Sequence, residues 1–220
     1  MTLAIRRAVP ADAPALEQIC LRTGDAGADA SALLAHGELL GLVWALPYVL
    51  LAPPAARIWG FVLADPARPD DHTTTAVKGY ILGTADTRAY ERAAGDAWWP
   101  PLRQQFPLAP PEGEVRSELE KWYVELLHKA PDPAREECIA FSPAHMHIDL
   151  LPEVQRQGWG RRLVDAAVQH LRTEGVDGLW LGMDKRNVEA RKFYLKLGYE
   201  GIDGLPDEYV GLKFANWKDA

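Results

Sequence analysis

The segment VQRQGWGRRL, Val154 to Leu163, constrains this chain more than any other. Gly158 and Gly160 flank Trp159, three arginines (Arg156, Arg161, Arg162) stand close by, and an apolar period begins directly afterwards. Upstream, HMHIDLL (His145–Leu151) reads as a strand. Downstream, GRRLVDAAVQHLRTEG reads as a helix, with Leu163, Val164, Ala167, Val168 and Leu171 at helical spacing and Gly175 as its stop. A strand that passes through a glycine turn into a helix leaves the first helical amides without internal partners, at the positive end of the dipole. Glycines there let an anion approach the main chain. The loop is neither a dinucleotide fingerprint, which needs a third glycine, nor a P-loop, which needs a G-K-[ST] ending. Taken locally it is either a phosphate cradle or a plain strand-to-helix turn.

The rest of the second half continues the alternation. GLWLGMD (Gly178–Asp184) reads as a strand, NVEARKFYLKLG as a helix with Ala190, Phe193, Tyr194 and Leu197 on one side and Gly198 as its stop, and EYVGLKF (Glu208–Phe214) as a closing strand. Strands at 145 and 178 joined through a helix are parallel neighbours with a right-handed crossover. In the first half, LAIRRAV (Leu3–Val9) alternates like a strand, and PADAPALEQIC opens a helix with Asp12 as its cap and Pro14 in the first turn. ARIWGFVLAD (Ala56–Asp65) and AVKGYILGTAD (Ala76–Asp86) read as an antiparallel pair. The class is α/β with a mixed sheet.

Residues 87–142 break the rhythm. DAWWPPLRQQFPLAPPEGEV is rich in tryptophan and proline, and SELEKWYVELLHKA follows as a helix with Ser117 and Glu120 in a capping box. So long a connection is either a functional lid or pocket wall, or a structural insertion with a satellite core. The expected organisation is one domain over residues 1–220, carrying this insertion.

Charge and cysteine usage narrow the function classes. The 220 residues carry a formal net charge of -7 and no basic stripe, which argues against nucleic acid. Cys20 and Cys138 lie far apart and form neither a metal cluster nor a disulfide framework, which fits a reducing, cytoplasmic setting. The uncharged run LLGLVWALPYVLLAPPAA (Leu39–Ala56) is interrupted by Pro47, Pro53 and Pro54, so a buried helix end, a loop and a strand are expected, not a membrane span. The first residues lack the pattern of a signal peptide.

The strand HMHID places His145, His147 and Asp149 on one face. H-x-H-x-D is also the start of a zinc-binding H-x-H-x-D-H motif, but Leu150 stands where the further histidine belongs and no suitable histidine follows. No metal is expected. The same face suits a general base.

In order and spacing, Gln155-x-x-Gly158-x-Gly160 followed by Asn187-x-x-Ala190-x-x-Phe193-Tyr194-x-x-x-Gly198-Tyr199 resembles the acetyl-CoA-dependent N-acyltransferases of the GNAT superfamily. The strong match runs from His147 to Gly201, and the opening strand and helix are also similar to the family's. LVWALPYVLLAPP, GYILGTADTRAYE and WWPPLRQQFP look like bacterial relatives of the acetyltransferase-like C-terminal domain of O-GlcNAcase. The resemblance implies a GNAT fold: a twisted, mostly antiparallel mixed sheet with a splayed parallel strand pair and flanking helices. It does not imply glycosidase activity, which belongs to a different domain of those enzymes.

The resemblance also implies roles. Main-chain amides of Gln157, Gly158, Trp159, Gly160 and Arg161, with Gln155 and Arg156 alongside, would hold the pyrophosphate of coenzyme A. Leu150 and Leu151 would run beside pantetheine, and Asn187 would bind it while also capping its helix. Tyr194 would lie near the sulfur and protonate the departing thiolate. The base that takes the amine's proton would be Asp149, with His147 second and Asp86 an outside candidate at the acceptor site. The segment around Trp98 and Trp99 would cover that site. The implied activity is acetyl transfer from acetyl-CoA to an amine on a small molecule or peptide, with no nucleic acid or membrane partner and with a homodimer as one expected state. The alternative is an acyl-CoA-binding module without turnover, acting as a sensor or interaction domain.

Overall fold

The computed structural model describes residues 2–51 and 56–218. Its seven strands form one sheet in the order β1-β2-β3-β4-β5-β7-β6. These are β1 (Ala4–Arg7), β2 (Ile58–Ala64), β3 (Val77–Thr84), β4 (His145–Leu150), β5 (Gly178–Gly182), β6 (Glu200–Gly201) and β7 (Tyr209–Lys213). All pairings are antiparallel except β4 with β5. That parallel pair shares one register position, His145 opposite Trp180, after which the strands part. The expected mixed sheet with a splayed parallel pair is therefore the observed one. The two-residue β6 is an addition, too short for alternation to reveal.

Strand alternation sorts the core onto two faces. Tyr80 and Leu82 of β3 point to one face, against α1 (Ala13–Thr23), α2 (Glu38–Trp44) and α3 (Pro47–Leu50). Ile81 and Met146 point to the other, against α8 (Trp159–Thr173), whose buried side chains are Leu163, Val164, Ala167, Val168 and Leu171. The apolar run at residues 39–56 gives two short helices with buried faces, because Pro47 closes one and opens the next. No helix among the described residues is long and apolar enough to cross a membrane. Pro53 and Pro54 lie outside the described residues.

The 87–142 segment folds into α4 (Thr87–Ala97), α5 (Trp99–Gln105), α6 (Glu118–Lys129) and α7 (Glu136–Phe141). Most of it joins the main core: Tyr90, Trp99, Leu102, Phe106, Tyr123, Val124 and Leu127 enter the cluster on the α1 face, while Cys138 of α7 forms a small separate cluster with Trp180 and Ile202. α6 starts with the expected capping box, Ser117 Oγ accepting from the Glu120 amide and Glu120 accepting from the Ser117 amide.

Asp12 does not cap α1 as expected. Its carboxylate is fully buried and receives the Val9 amide, both outer nitrogens of Arg6 at 2.8 Å each, and His72 Nδ1 at 2.7 Å. A bidentate guanidinium outcompetes helix amides for a carboxylate.

Candidate active site

The tear between β4 and β5 positions the site. In an antiparallel ladder, residues alternately bond to one neighbour and then to the other. The Leu151 amide bonds back to Lys78, so Asp149 and His147 also turn their main chain toward β3, while Ile148 and Leu150 turn theirs toward the departing β5. Leu151, expected to run beside pantetheine, has its amide committed to β3 and its side chain fully buried. The Leu150 carbonyl is also taken, by Gln155 Nε2 at 2.8 Å, which folds the loop onto the strand end. The open strand groups are those of Ile148 and the Leu150 amide.

The loop at the strand end continues this pattern. Arg156 (φ 59°) and Gly158 (φ 84°) turn the chain through the left-handed region, and α8 begins at Trp159 with no side-chain cap. The first amide with a main-chain acceptor is that of Arg162, on Gly158. The amides from Arg156 to Arg161 have none among the described residues. Such a run of open donors is able to receive an anion. The two glycines serve different ends. Gly158 has open space beside it and is needed for its positive φ, whereas a Cβ on Gly160 would stand 2.8 Å from Phe193 Cζ. Gly160 therefore lets α8 pack against α9 (Val188–Lys196), which carries Tyr194.

The arginines are partly diverted. Arg161 lies over the Trp217 ring at 4.7 Å and donates to the Lys218 carbonyl, leaving its amide open. Arg162 lies 4.7 Å from the centre of the Trp159 ring, so the half-buried indole is a shelf for a guanidinium. Gln157 Nε2 bonds to the Glu153 carbonyl.

On the α1 face of β4 the three polar side chains are held by residues the motifs do not contain. Tyr80 donates to Asp149 Oδ2 at 2.5 Å. Burial pushes Asp149 up to about 6, and the bonds from Tyr80 and Thr23 pull against it. His147 contacts the Tyr48 hydroxyl at 3.1 Å, with the Trp44 ring at 5.8 Å, and burial pushes it down to about 4. His145 contacts Tyr48 at 2.7 Å and Thr87 at 2.7 Å, and burial holds it well below the usual histidine range. Tyr194 is buried in the cluster on the α8 face, its ring 5.2 Å from that of Tyr199. Its hydroxyl makes no hydrogen bond to a described residue, and burial and the nearby Asp149 charge raise its pKa. Asn187 caps α9, accepting from the Ala190 amide at 3.0 Å.

The residues expected on the acceptor side all have structural contacts. Asp86 caps α4, accepting from the Ala89 amide at 2.9 Å, which leaves it a structural task. Trp99 is 3% exposed, and Trp98 packs on the same cluster with its indole N–H on the Leu42 carbonyl. Trp98 thereby ties the insertion to α2. The aromatic residues beside His147 and Asp149 are Trp44, Tyr48 and Tyr80. Sequence reading missed them because the apolar run hides the first two, and only the register of β3 against β4 places Tyr80 opposite Asp149.

The acetyltransferase (GNAT) family profile matches residues 116–199, which include the glycine loop and the whole of α9. The solved structure of SsHAT is 34% identical, with 98% of this chain and 100% of that one covered and a TM-score of 0.81. A Desulfovibrio desulfuricans protein assigned to the GNAT family is 16% identical over 97% of this chain and 99% of its own, with a TM-score of 0.51, a likeness of fold. A near-complete overlap at that identity, with the profile lying on the torn strand pair and its loop, settles the family: the chain belongs to the GNAT acetyltransferases.

Proposed function

We propose that the protein transfers an acetyl group from acetyl-CoA to a primary amine of a small molecule or peptide. The observation that carries this reading is the continuity of open main-chain donors, from Ile148 and Leu150 in the tear to the unbonded amides of Arg156 to Arg161. A pantetheine arm with a pyrophosphate at its end matches that line. Acetyl-CoA supplies an activated acyl carbon on a thiol leaving group.

The chain's residues do the rest. The strand amide of Ile148 donates to the thioester oxygen as it gains charge. Asp149 holds the cationic acceptor and takes one proton from its ammonium, which frees the lone pair that attacks the acyl carbon; the second N–H proton leaves to solvent once the C–N bond has formed. With a pKa of about 6 it is ionised at neutral pH, yet basic enough for that step. Tyr194 faces the sulfur. A free thiol has a pKa of about 8.5, and the Tyr194 phenol, already raised by burial, is the weaker acid. Full proton transfer from Tyr194 to the thiolate is therefore uphill. Its role is to donate a hydrogen bond to the sulfur as the C–S bond breaks, while the proton itself arrives from solvent.

Calorimetry with acetyl-CoA and an acetylation panel of amines, amino sugars and peptides test the reading. Binding together with turnover that falls in Asp149→Asn is the expected result. Binding without turnover across the panel would leave the protein an acyl-CoA-binding module, and no binding at all would sink both.

A further inference from the structure

A line of buried polar groups runs to His147 and has no part in the chemistry above. It begins at the Pro143 carbonyl, which can only accept. Thr87 sets both its amide and its hydroxyl on that oxygen, each at 2.7 Å. A threonine hydroxyl has one hydrogen. With that hydrogen on Pro143, only a lone pair of Oγ1 is left for the 2.7 Å contact with His145 Nδ1, so Nδ1 donates. His145 is 7% exposed, with no carboxylate in contact among the described residues, so the ring is neutral and its single proton sits on Nδ1. Nε2 then accepts, and the Tyr48 hydroxyl donates to it at 2.7 Å. That commits Tyr48's one hydrogen, so the 3.1 Å contact with His147 Nε2 needs Nε2 to donate. His147 is neutral as well, and its remaining nitrogen, Nδ1, carries a lone pair. Nδ1 has no partner among the described residues, yet it is not sealed off: the sealed, unpaired side-chain atoms there are the indole nitrogens of Trp59 and Trp180.

We propose that the one-way chain Pro143–Thr87–His145–Tyr48 locks His147 in its Nε2–H tautomer, so that Nδ1 meets the acceptor amine as an obligate hydrogen-bond acceptor beside Asp149. Thr87, His145 and Tyr48 are positioning residues, since each acts through the next and none touches the acceptor. The chain orients and does not conduct, because a peptide carbonyl at its end cannot pass a proton on. The functional half of this proposal rests on the acyl-transfer reading of the cleft; the tautomer does not.

Selectivity follows from the lock. His147 and Asp149 lie two residues apart on one strand face, about 7 Å along the chain, and both accept. A primary ammonium, with three N–H donors, satisfies the pair. A hydroxyl, with one hydrogen, leaves one of the two unpaired, and a site built to bond a donor discriminates strongly against the analogue lacking it.

Imidazole nitrogen NMR of histidine-labelled protein tests the lock without any substrate. The wild-type chain should show His147 with Nδ1 bare and Nε2 protonated. Tyr48→Phe should populate both tautomers of His147, Thr87→Val should do so through His145, and Thr87→Ser should restore the single form. With a primary amine as acceptor, kcat/KM should fall about tenfold in Tyr48→Phe and Thr87→Val, the loss of one aligned hydrogen bond, with Thr87→Ser close to wild type. Melting curves separate this from misfolding. A wild-type His147 protonated on Nδ1, or a Thr87→Ser defect equal to that of Thr87→Val, overturns the proposal. A correct tautomer in a chain that neither binds acetyl-CoA nor transfers acetyl groups refutes the function reading instead.

Discussion

Replacing Tyr80 with phenylalanine removes one oxygen from a fully buried ring and isolates the bond it makes. That bond, 2.5 Å to Asp149 Oδ2, stabilises the ionised carboxylate, while burial favours the neutral form. The resulting pKa of about 6 is a balance between the two. A hydrogen bond to a charged group contributes about 1.5–3 kcal/mol, and one pKa unit corresponds to about 1.4 kcal/mol. Losing the bond should therefore lift Asp149 by about one to two units, to about 7–8. The sign for stability follows from the direction of the shift. Folded Asp149 binds its proton more tightly than the unfolded residue, whose pKa is about 3.9. The folded state is thus not penalised below about pH 4, and it loses stability as pH rises until the folded pKa is passed. In Tyr80→Phe that decline should continue through about pH 7–8 instead of levelling near 6. Denaturation midpoints across this range and a carboxyl NMR titration of Asp149 measure both effects with no acceptor present. An Asp149 that titrates at the same pH in both proteins would refute the reasoning, because the short bond would then carry no charge preference.

Other substitutions test other parts. Gly160→Ala should destabilise the protein by about 1–3 kcal/mol through overpacking against Phe193, and calorimetry should show weakened acetyl-CoA binding as α8 and α9 separate. Tyr194→Phe should fold with an unchanged melting temperature, since its hydroxyl bonds to no described residue, and should lower kcat about tenfold or more while leaving acetyl-CoA affinity intact. Ser117→Ala removes a cap worth about 1 kcal/mol, which should lower the melting temperature by about 2–4 °C without altering turnover.

Much of this architecture could be read from the chain, and the exceptions have physical causes. α8 is legible because five buried apolar side chains recur at helical spacing and Gly158 and Gly175 bracket it. The parallel pair follows from the helix that joins its strands. The surroundings of His147 and Asp149 are not legible, because Trp44, Tyr48 and Tyr80 reach them across more than sixty residues of sequence, through helix packing and strand register. Trp98 and Trp99 misled for a related reason. A tryptophan pair in a long connection suggests a lid, yet here Trp99 is buried in the α1-face cluster and Trp98 packs on it. Asp12 misled because an arginine fork on a buried carboxylate is invisible to a capping rule.

The tear between β4 and β5 also has a consequence for cooperativity. A sheet joined at its middle by a single rung divides into two cooperative units, the antiparallel β1–β4 part and the β5–β7 end, which share the side-chain cluster that includes α8. Such a seam opens at lower free energy than the ladders on either side. Amide exchange should therefore be fastest in the sheet at Ile148 and Leu150 when the seam is empty, and slowest there once a ligand pairs with them. Binding would then act as the missing strand, so that the affinity of the protein for its ligand and the unity of its fold are measured by the same free energy.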